Sequence, residues 1–131
     1  MEGNSTANSN RHILILDDDI TSLDIVSYLF EERGYTVDRC TDGFAAIDYL
    51  KGNEPDLLIV DLMMQKINGV DTVKQIRELG FSALPIIAFT AVDEPLLHKE
   101  ALTAGCNEVL TKPCPAEKLV KHIKRLLPSA T

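Results

Sequence analysis

Three acids in succession, Asp17-Asp18-Asp19, close the apolar run Ile13-Leu14-Ile15-Leu16. Carboxylates crowded this closely repel one another unless a hard cation with oxygen ligands, Mg²⁺ or Mn²⁺, offsets their charge. By itself the triplet reads equally as a solvated acidic turn. Three more residues occupy the same kind of place: Asp61 after Leu57-Leu58-Ile59-Val60, Thr90 after Ile86-Ile87-Ala88-Phe89, and Lys112 after Glu108 to Thr111. Each has an ordinary alternative: Asp61 as the cap of the next segment, Thr90 as a β-branched strand end, Lys112 as a surface charge. Together they form the set that phosphoryl transfer to a carboxylate needs. Asp17 and Asp18 would hold the cation, which with Lys112 neutralises the equatorial phosphoryl oxygens while Thr90 donates to one of them. Asp61, standing alone opposite the acid cluster, is the best candidate nucleophile.

These residues converge only if the segments before them are parallel strands of one sheet. The runs at 13–16, 57–60 and 86–89 are apolar throughout, as strands buried on both faces are. Tyr35 to Thr41 reads as a half-buried strand, and Glu108 to Thr111 as a short fifth. Between them lie helical spacings: Leu23, Val26 and Phe30; Phe44, Ile47 and Leu50; Val70, Val73, Ile76 and Leu79; Leu97, Ala101 and Ala104; and Leu119, Ile123, Leu126 and Leu127. Gly34, Gly52, Gly80 and Gly105 stand where helices would end, and Pro55, Pro85, Pro113 and Pro128 mark boundaries. Strands alternating with helices imply an α/β class: a single doubly wound domain with a five-stranded parallel sheet and right-handed connections. The carboxyl ends of parallel strands share one edge, where open α/β sheets bind ligands. Residues 1–10 carry no periodicity and read as a flexible N-terminal tail. The domain is expected over 11–127, with 128–131 as a C-terminal end.

Composition narrows the classes further. The chain has 131 residues, room for one core, and its 45% hydrophobic and 25% charged content is that of an ordinary globular protein. A net charge of −7 argues against direct nucleic-acid binding and fits a site that attracts cations or basic partners. Cys40, Cys106 and Cys114 form no C-x-x-C pair, which suits reduced thiols better than a disulfide framework, and the few His residues do not suit zinc. No apolar stretch approaches the roughly 18 residues of a membrane span, so no membrane insertion and a cytoplasmic location are expected.

With these residues in place, the chain resembles the receiver domains of two-component response regulators. The resemblance rests on ILILDDD at 13–19, LLIVDLMM at 57–64 followed by Asn68-Gly69, IIAFTA at 86–91, and Ala104-Gly105 leading to LTKP at 110–113. The separations are 43 residues from Asp18 to Asp61, 29 on to Thr90 and 22 more to Lys112. It implies a flavodoxin-like (βα)5 fold with strand order 2-1-3-4-5. It also implies Asp61 as phosphoacceptor, with metal bound by Asp17, Asp18, Asp61 and the backbone carbonyl of Met63. Thr90, Ala91 and Lys112 are implied as phosphate-binding or switch positions, Lys112-Pro113 as a cis peptide, and Asp19 as a bystander. The phosphoryl donor would be a histidine kinase or histidine phosphotransfer protein, and a downstream protein partner would read the face of the fourth helix, fifth strand and fifth helix. Such a domain is a phosphorelay switch rather than an enzyme, catalysing only its own phosphorylation and dephosphorylation. Output would act through partner binding, through phosphorelay, or through a larger protein such as a hybrid kinase.

Three departures qualify the resemblance. The switch-aromatic position, three before the lysine, is Val109, and a position after the phosphoacceptor that is commonly Pro is Gln65. The positions two beyond Asp61 and two beyond Thr90 are Met63 and Val92, neither of which can orient an attacking water, so slow self-dephosphorylation is expected. The rival reading is an enzyme. Asp17-x-Asp19-x-Thr21 also resembles the opening motif of haloacid-dehalogenase-type phosphatases, with Asp17 as nucleophile and Asp19 as acid/base. That reading lacks a late acidic pair and leaves Asp61 without a task.

Overall fold

β1 (His12–Leu16), β2 (Thr36–Cys40), β3 (Leu57–Val60), β4 (Ile86–Thr90) and β5 (Glu108–Thr111) alternate with five helices in the computed structural model, which describes residues 11–127. The helices are α1 (Ile20–Glu31), α2 (Gly43–Leu50), α3 (Gly69–Glu78), α4 (Pro95–Ala104) and α5 (Ala116–Leu126). All strands are parallel, in the order β2-β1-β3-β4-β5. This is the flavodoxin-like arrangement, and its topological switch point lies between β1 and β3. The tail expected over 1–10 and the C-terminal end at 128–131 lie outside the described residues.

Both faces of the sheet are covered, which explains the unbroken apolar runs. Leu14 and Leu16 join Leu58, Val60 and Ala88 in a cluster with Ile47, Val73, Ile76 and Ala101 from α2, α3 and α4. Ile13 and Ile15 face the other way, packing with Ile59, Ile87, Leu23, Phe30, Leu119 and Ile123 under α1 and α5. The alternation is the period of a strand, here apolar in both phases. Edge strands β2 and β5 are only partly buried, as their mixed composition requires. At the β2 edge, Asp38 accepts from Tyr49 Oη and sits 2.8 Å from His12 Nε2, tying β2 to β1 and α2.

Two residues assigned by spacing to buried helix faces are exposed. Phe44 gives way to Gly43, whose missing Cβ would stand 2.2 Å from Thr72 Oγ1; α2 docks on α3 through the glycine and turns the ring to solvent. Leu79 is the C-cap of α3 and lies past the last turn that packs. Cys40 and Cys106 are buried thiols that burial pushes up to about 11 and about 12, so they serve as small apolar residues.

Candidate functional site

Strand register builds the site. Leu16 pairs with Val60, so the next residues, Asp17 and Asp61, leave the sheet side by side. Asp61 N–H donates to the Leu16 carbonyl at 2.9 Å and locks that level. Carboxylate oxygens of Asp17, Asp18 and Asp61 lie within 4.8 Å of one another, an all-oxygen donor set suited to a hard divalent cation. Asp17 is buried, Asp61 is half-buried, and Asp18 faces solvent. Burial pushes the Asp61 carboxyl up to about 6 and neighbouring Asp17 adds to the rise, while the Met63 N–H and Lys112 pull it back. A carboxylate held out of water beside like charge is an activated one.

Lys112 enters from β5, where its N–H donates to the Thr90 carbonyl at 2.8 Å. Its ammonium lies 2.9 Å from Asp17 Oδ2 and 3.8 Å from Asp61 Oδ2, and 5.3 Å from the centre of the Phe89 ring. The Lys112–Pro113 peptide is cis. Thr90 ends β4 fully buried, its Oγ1 accepting from Val92 N–H at 3.2 Å, and Ala91 opens the exposed loop beyond it. Val109 is half-buried and packs against the cluster under α2, α3 and α4.

The loop after Asp61 is shaped by hydrogen bonds and one glycine. Met63 N–H donates to Asp61 Oδ1 at 3.1 Å, and Gln65 N–H reaches across to Asp18 Oδ2, also at 3.1 Å. The loop is therefore braced by Asp18 despite lacking the commoner Pro at Gln65. Asn68 caps α3 by accepting from Asp71 N–H. Gly69 N–H donates to the Leu62 carbonyl, and a Cβ at Gly69 would lie 2.4 Å from the Asp61 carbonyl oxygen and 2.6 Å from Leu62 Cα. Both neighbours are main chain and cannot rotate away. Gly69→Ala is expected to cost about 2–3 kcal/mol in urea unfolding by displacing the main chain at Asp61 and Leu62. An unchanged unfolding midpoint would contradict this account of the loop.

Asp19 has a task that its place in the triplet concealed. Its carboxylate caps α1, accepting from Thr21 N–H at 3.0 Å and from Ser22 Oγ at 3.4 Å, and its own N–H donates to Asp17 Oδ1. A carboxylate committed to a helix terminus does not serve as the acid/base of the phosphatase alternative, which finds no support. The signal was in the chain: an Asp immediately before Ile20, at the head of a helical pattern, is a capping residue.

The same fold recurs in known proteins. Residues 13–124 match the family described as response regulator receiver domain. The response regulator MprA of Mycobacterium sp. strain KMS is 33% identical over 115 residues, 88% of this chain and 50% of that protein. The chain thus spans about half the length of the curated relatives it matches. Among solved structures, the chemotaxis protein CheY4 of Vibrio cholerae superposes with a TM-score of 0.85 at 29% identity, covering 89% of this chain and 98% of that one. A two-component response regulator from Clostridium difficile gives 0.84 at 26%, covering 89% and 95% of the two chains. The signal receiver domain of a signal transduction histidine kinase from Syntrophus aciditrophicus gives 0.82 at 30%, covering 89% of each.

Proposed function

Since the chain belongs to the response regulator receiver family of two-component signalling, we propose that it is a phosphorylation switch whose phosphoacceptor is Asp61. The observation that carries this reading is the Asp61 carboxylate at the end of central strand β3, beside Asp17 and Asp18 and within 3.8 Å of the Lys112 ammonium. Asp17, Asp18, Asp61 and the Met63 carbonyl would hold Mg²⁺ (or Mn²⁺), whose charge offsets that of the transferring phosphoryl group. An Asp61 oxygen bonds to phosphorus as the P–N bond to a donor histidine breaks, and the departing imidazole takes up a proton. Lys112 then pairs with the phosphoryl oxygens and Thr90 donates its hydroxyl to one of them, with the backbone at Ala91 alongside.

The donor is a histidine kinase or histidine phosphotransfer protein. The reading face is α4, β5 and α5, where a downstream protein partner responds to a shift in population rather than to a new fold. Among the described residues no helix is long and apolar enough to cross a membrane, and the cytoplasm is the proposed site of action. Incubation with Mg²⁺ and acetyl phosphate, followed by mass mapping of the acyl phosphate, tests the reading. Label on a residue other than Asp61, or none, overturns it.

The side chains flanking the path of an attacking water are the exposed Met63 and the half-buried Val92. Neither can accept a proton or hold water in line. The phosphorylated form is therefore expected to be long-lived, and placing Gln at 63 and Glu at 92 should speed decay of the acyl phosphate by roughly tenfold or more. Equal or slower decay in that double variant would remove water access as the explanation.

A further inference from the structure

α4 is loosely attached at its first turn and firmly at its last. Its N-cap residue Glu94 makes no side-chain capping bond. Leu96 is 67% exposed, and the helix buries only Ala101 and Ala104. A groove of about 520 Å³ runs along α4 from Leu96 to Thr103, walled on its other side by Met63 and Met64 of the loop after Asp61 and by Lys74 of α3. At the other end, Arg77 Nε and Nη2 donate to the Gly105 carbonyl at 3.1 and 2.7 Å, and Nη1 donates to the Phe81 carbonyl. A helix pinned at its C-terminus with space along its α3-facing side can shift about the pinned end.

One side chain links that loose end to the site. His98 Nε2 lies 3.2 Å from the Val92 carbonyl, and the N–H of the same Val92 donates to Thr90 Oγ1 at 3.2 Å. Thr90 hydroxyl, Val92 backbone and His98 imidazole thus form a continuous chain from the buried end of β4 to the second turn of α4. Val92 is held on both sides, by Thr90 through its N–H and by His98 through its carbonyl, so a change at one contact alters the constraint on the other. Both the neutral Nε2–H tautomer and the imidazolium donate to a carbonyl, and the same Nε2 stands 3.9 Å from Oδ1 of the exposed Asp93.

The geometry points to His98 as the positioning residue that transmits the state of Thr90 to α4, at a switch whose usual aromatic place holds Val109. The inference rests on the reading of Asp61 as phosphoacceptor and Thr90 as the residue that responds to it. When Thr90 turns its hydroxyl to the phosphoryl group, the Val92 N–H moves with it or is released. The Val92 carbonyl then carries His98 and the first turns of α4 toward or away from the groove.

The test uses the whole chain, with beryllium fluoride and Mg²⁺ as the phosphoryl mimic and methyl NMR as readout. Thr90 reports the site; Leu97 and Ala101 report α4. In the wild-type protein all three signals shift, and the His98 Nε2 resonance shifts with them. In His98→Leu the Thr90 signal still moves and those of α4 stay at their mimic-free positions, while His98→Gln, whose amide can donate to the same carbonyl, restores the α4 shift. Undiminished α4 shifts in His98→Leu overturn the proposal, as does equal loss in the Leu and Gln variants, which would mark the imidazole as packing alone. Should the Leu variant not fold, the His98 resonance of the wild-type protein decides: if it stays fixed while Thr90 moves, the link is absent. A wild-type protein in which Thr90 itself does not respond marks failure of the underlying receiver reading instead.

Discussion

Asp61→Asn is expected to abolish Mg²⁺-dependent phosphoryl incorporation and, in the same protein, to stabilise the metal-free fold. The amide keeps the size of the side chain and can still accept from Met63 N–H, so the loop geometry survives. What disappears is the nucleophile, together with a charge that the native state holds at some cost. Burial first, and Asp17 second among the groups that raise it, set the Asp61 carboxyl at about 6, above the ordinary aspartate value of 3.8. A group whose folded-state pKa is raised contributes stability that is full below the unfolded value and lost as pH rises through the folded one. In the absence of metal, Asp61 therefore lowers stability progressively between about pH 4 and pH 6, by on the order of 2 kcal/mol.

The asparagine variant lacks that loss. Its advantage over the wild-type protein should be negligible near pH 4 and reach about 2 kcal/mol by pH 7, measured by urea unfolding in EDTA. Carboxylates away from the site act alike in both proteins, so the difference reports Asp61 together with its contact to Asp17. Asp38, held low first by its bond from Tyr49, contributes stability in the opposite sense, lost as pH falls. Added Mg²⁺ should stabilise the wild-type protein more than the variant, since a ligand that binds only the folded state raises stability in proportion to its affinity. A stabilised variant that cannot be phosphorylated is the signature of a site kept charged for function at the expense of folding. A variant less stable than wild type at pH 7 would instead mark Asp61 as a structural acid.

The strand ends were legible because a parallel sheet leaves few choices. Once 13–16, 57–60 and 86–89 are recognised as strands buried on both faces, the residues after them must share an edge, and the register of Leu16 with Val60 places Asp17 beside Asp61. Helix faces were less legible. Phe44 satisfied the helical spacing yet lies outside, because the contact of Gly43 with Thr72 sets the rotation of α2, and spacing cannot weigh a missing Cβ against a ring. The motif Asn68-Gly69 was visible, but its reason is the close approach of the loop's end to the Asp61 carbonyl. Long-range side-chain partners were the least legible. Lys112 reads as a phosphate ligand, and its contact with Asp17, 95 residues away, has no signal in the chain.

That last contact leads to the second large effect. Lys112→Met is expected to tighten Mg²⁺ binding by about tenfold and to weaken beryllium fluoride binding by about a hundredfold, two changes of opposite sign from one substitution. The ammonium lies 2.9 Å from Asp17 Oδ2 and 3.8 Å from Asp61 Oδ2, so it serves the same carboxylates that would hold the cation. It repels a divalent ion nearby and competes for an Asp17 oxygen, and methionine does neither while still covering the Phe89 ring. The phosphoryl mimic has the contrary requirement. It adds negative charge to three carboxylates in a partly buried pocket, and without Lys112 the cation alone must offset it. Titration calorimetry with Mg²⁺, and separately with beryllium fluoride at saturating Mg²⁺, distinguishes this from general damage to the fold, which would weaken both. Weaker Mg²⁺ binding in Lys112→Met would mean that the lysine orders the acids for the metal rather than competing with it, and the competition between them would have to be abandoned.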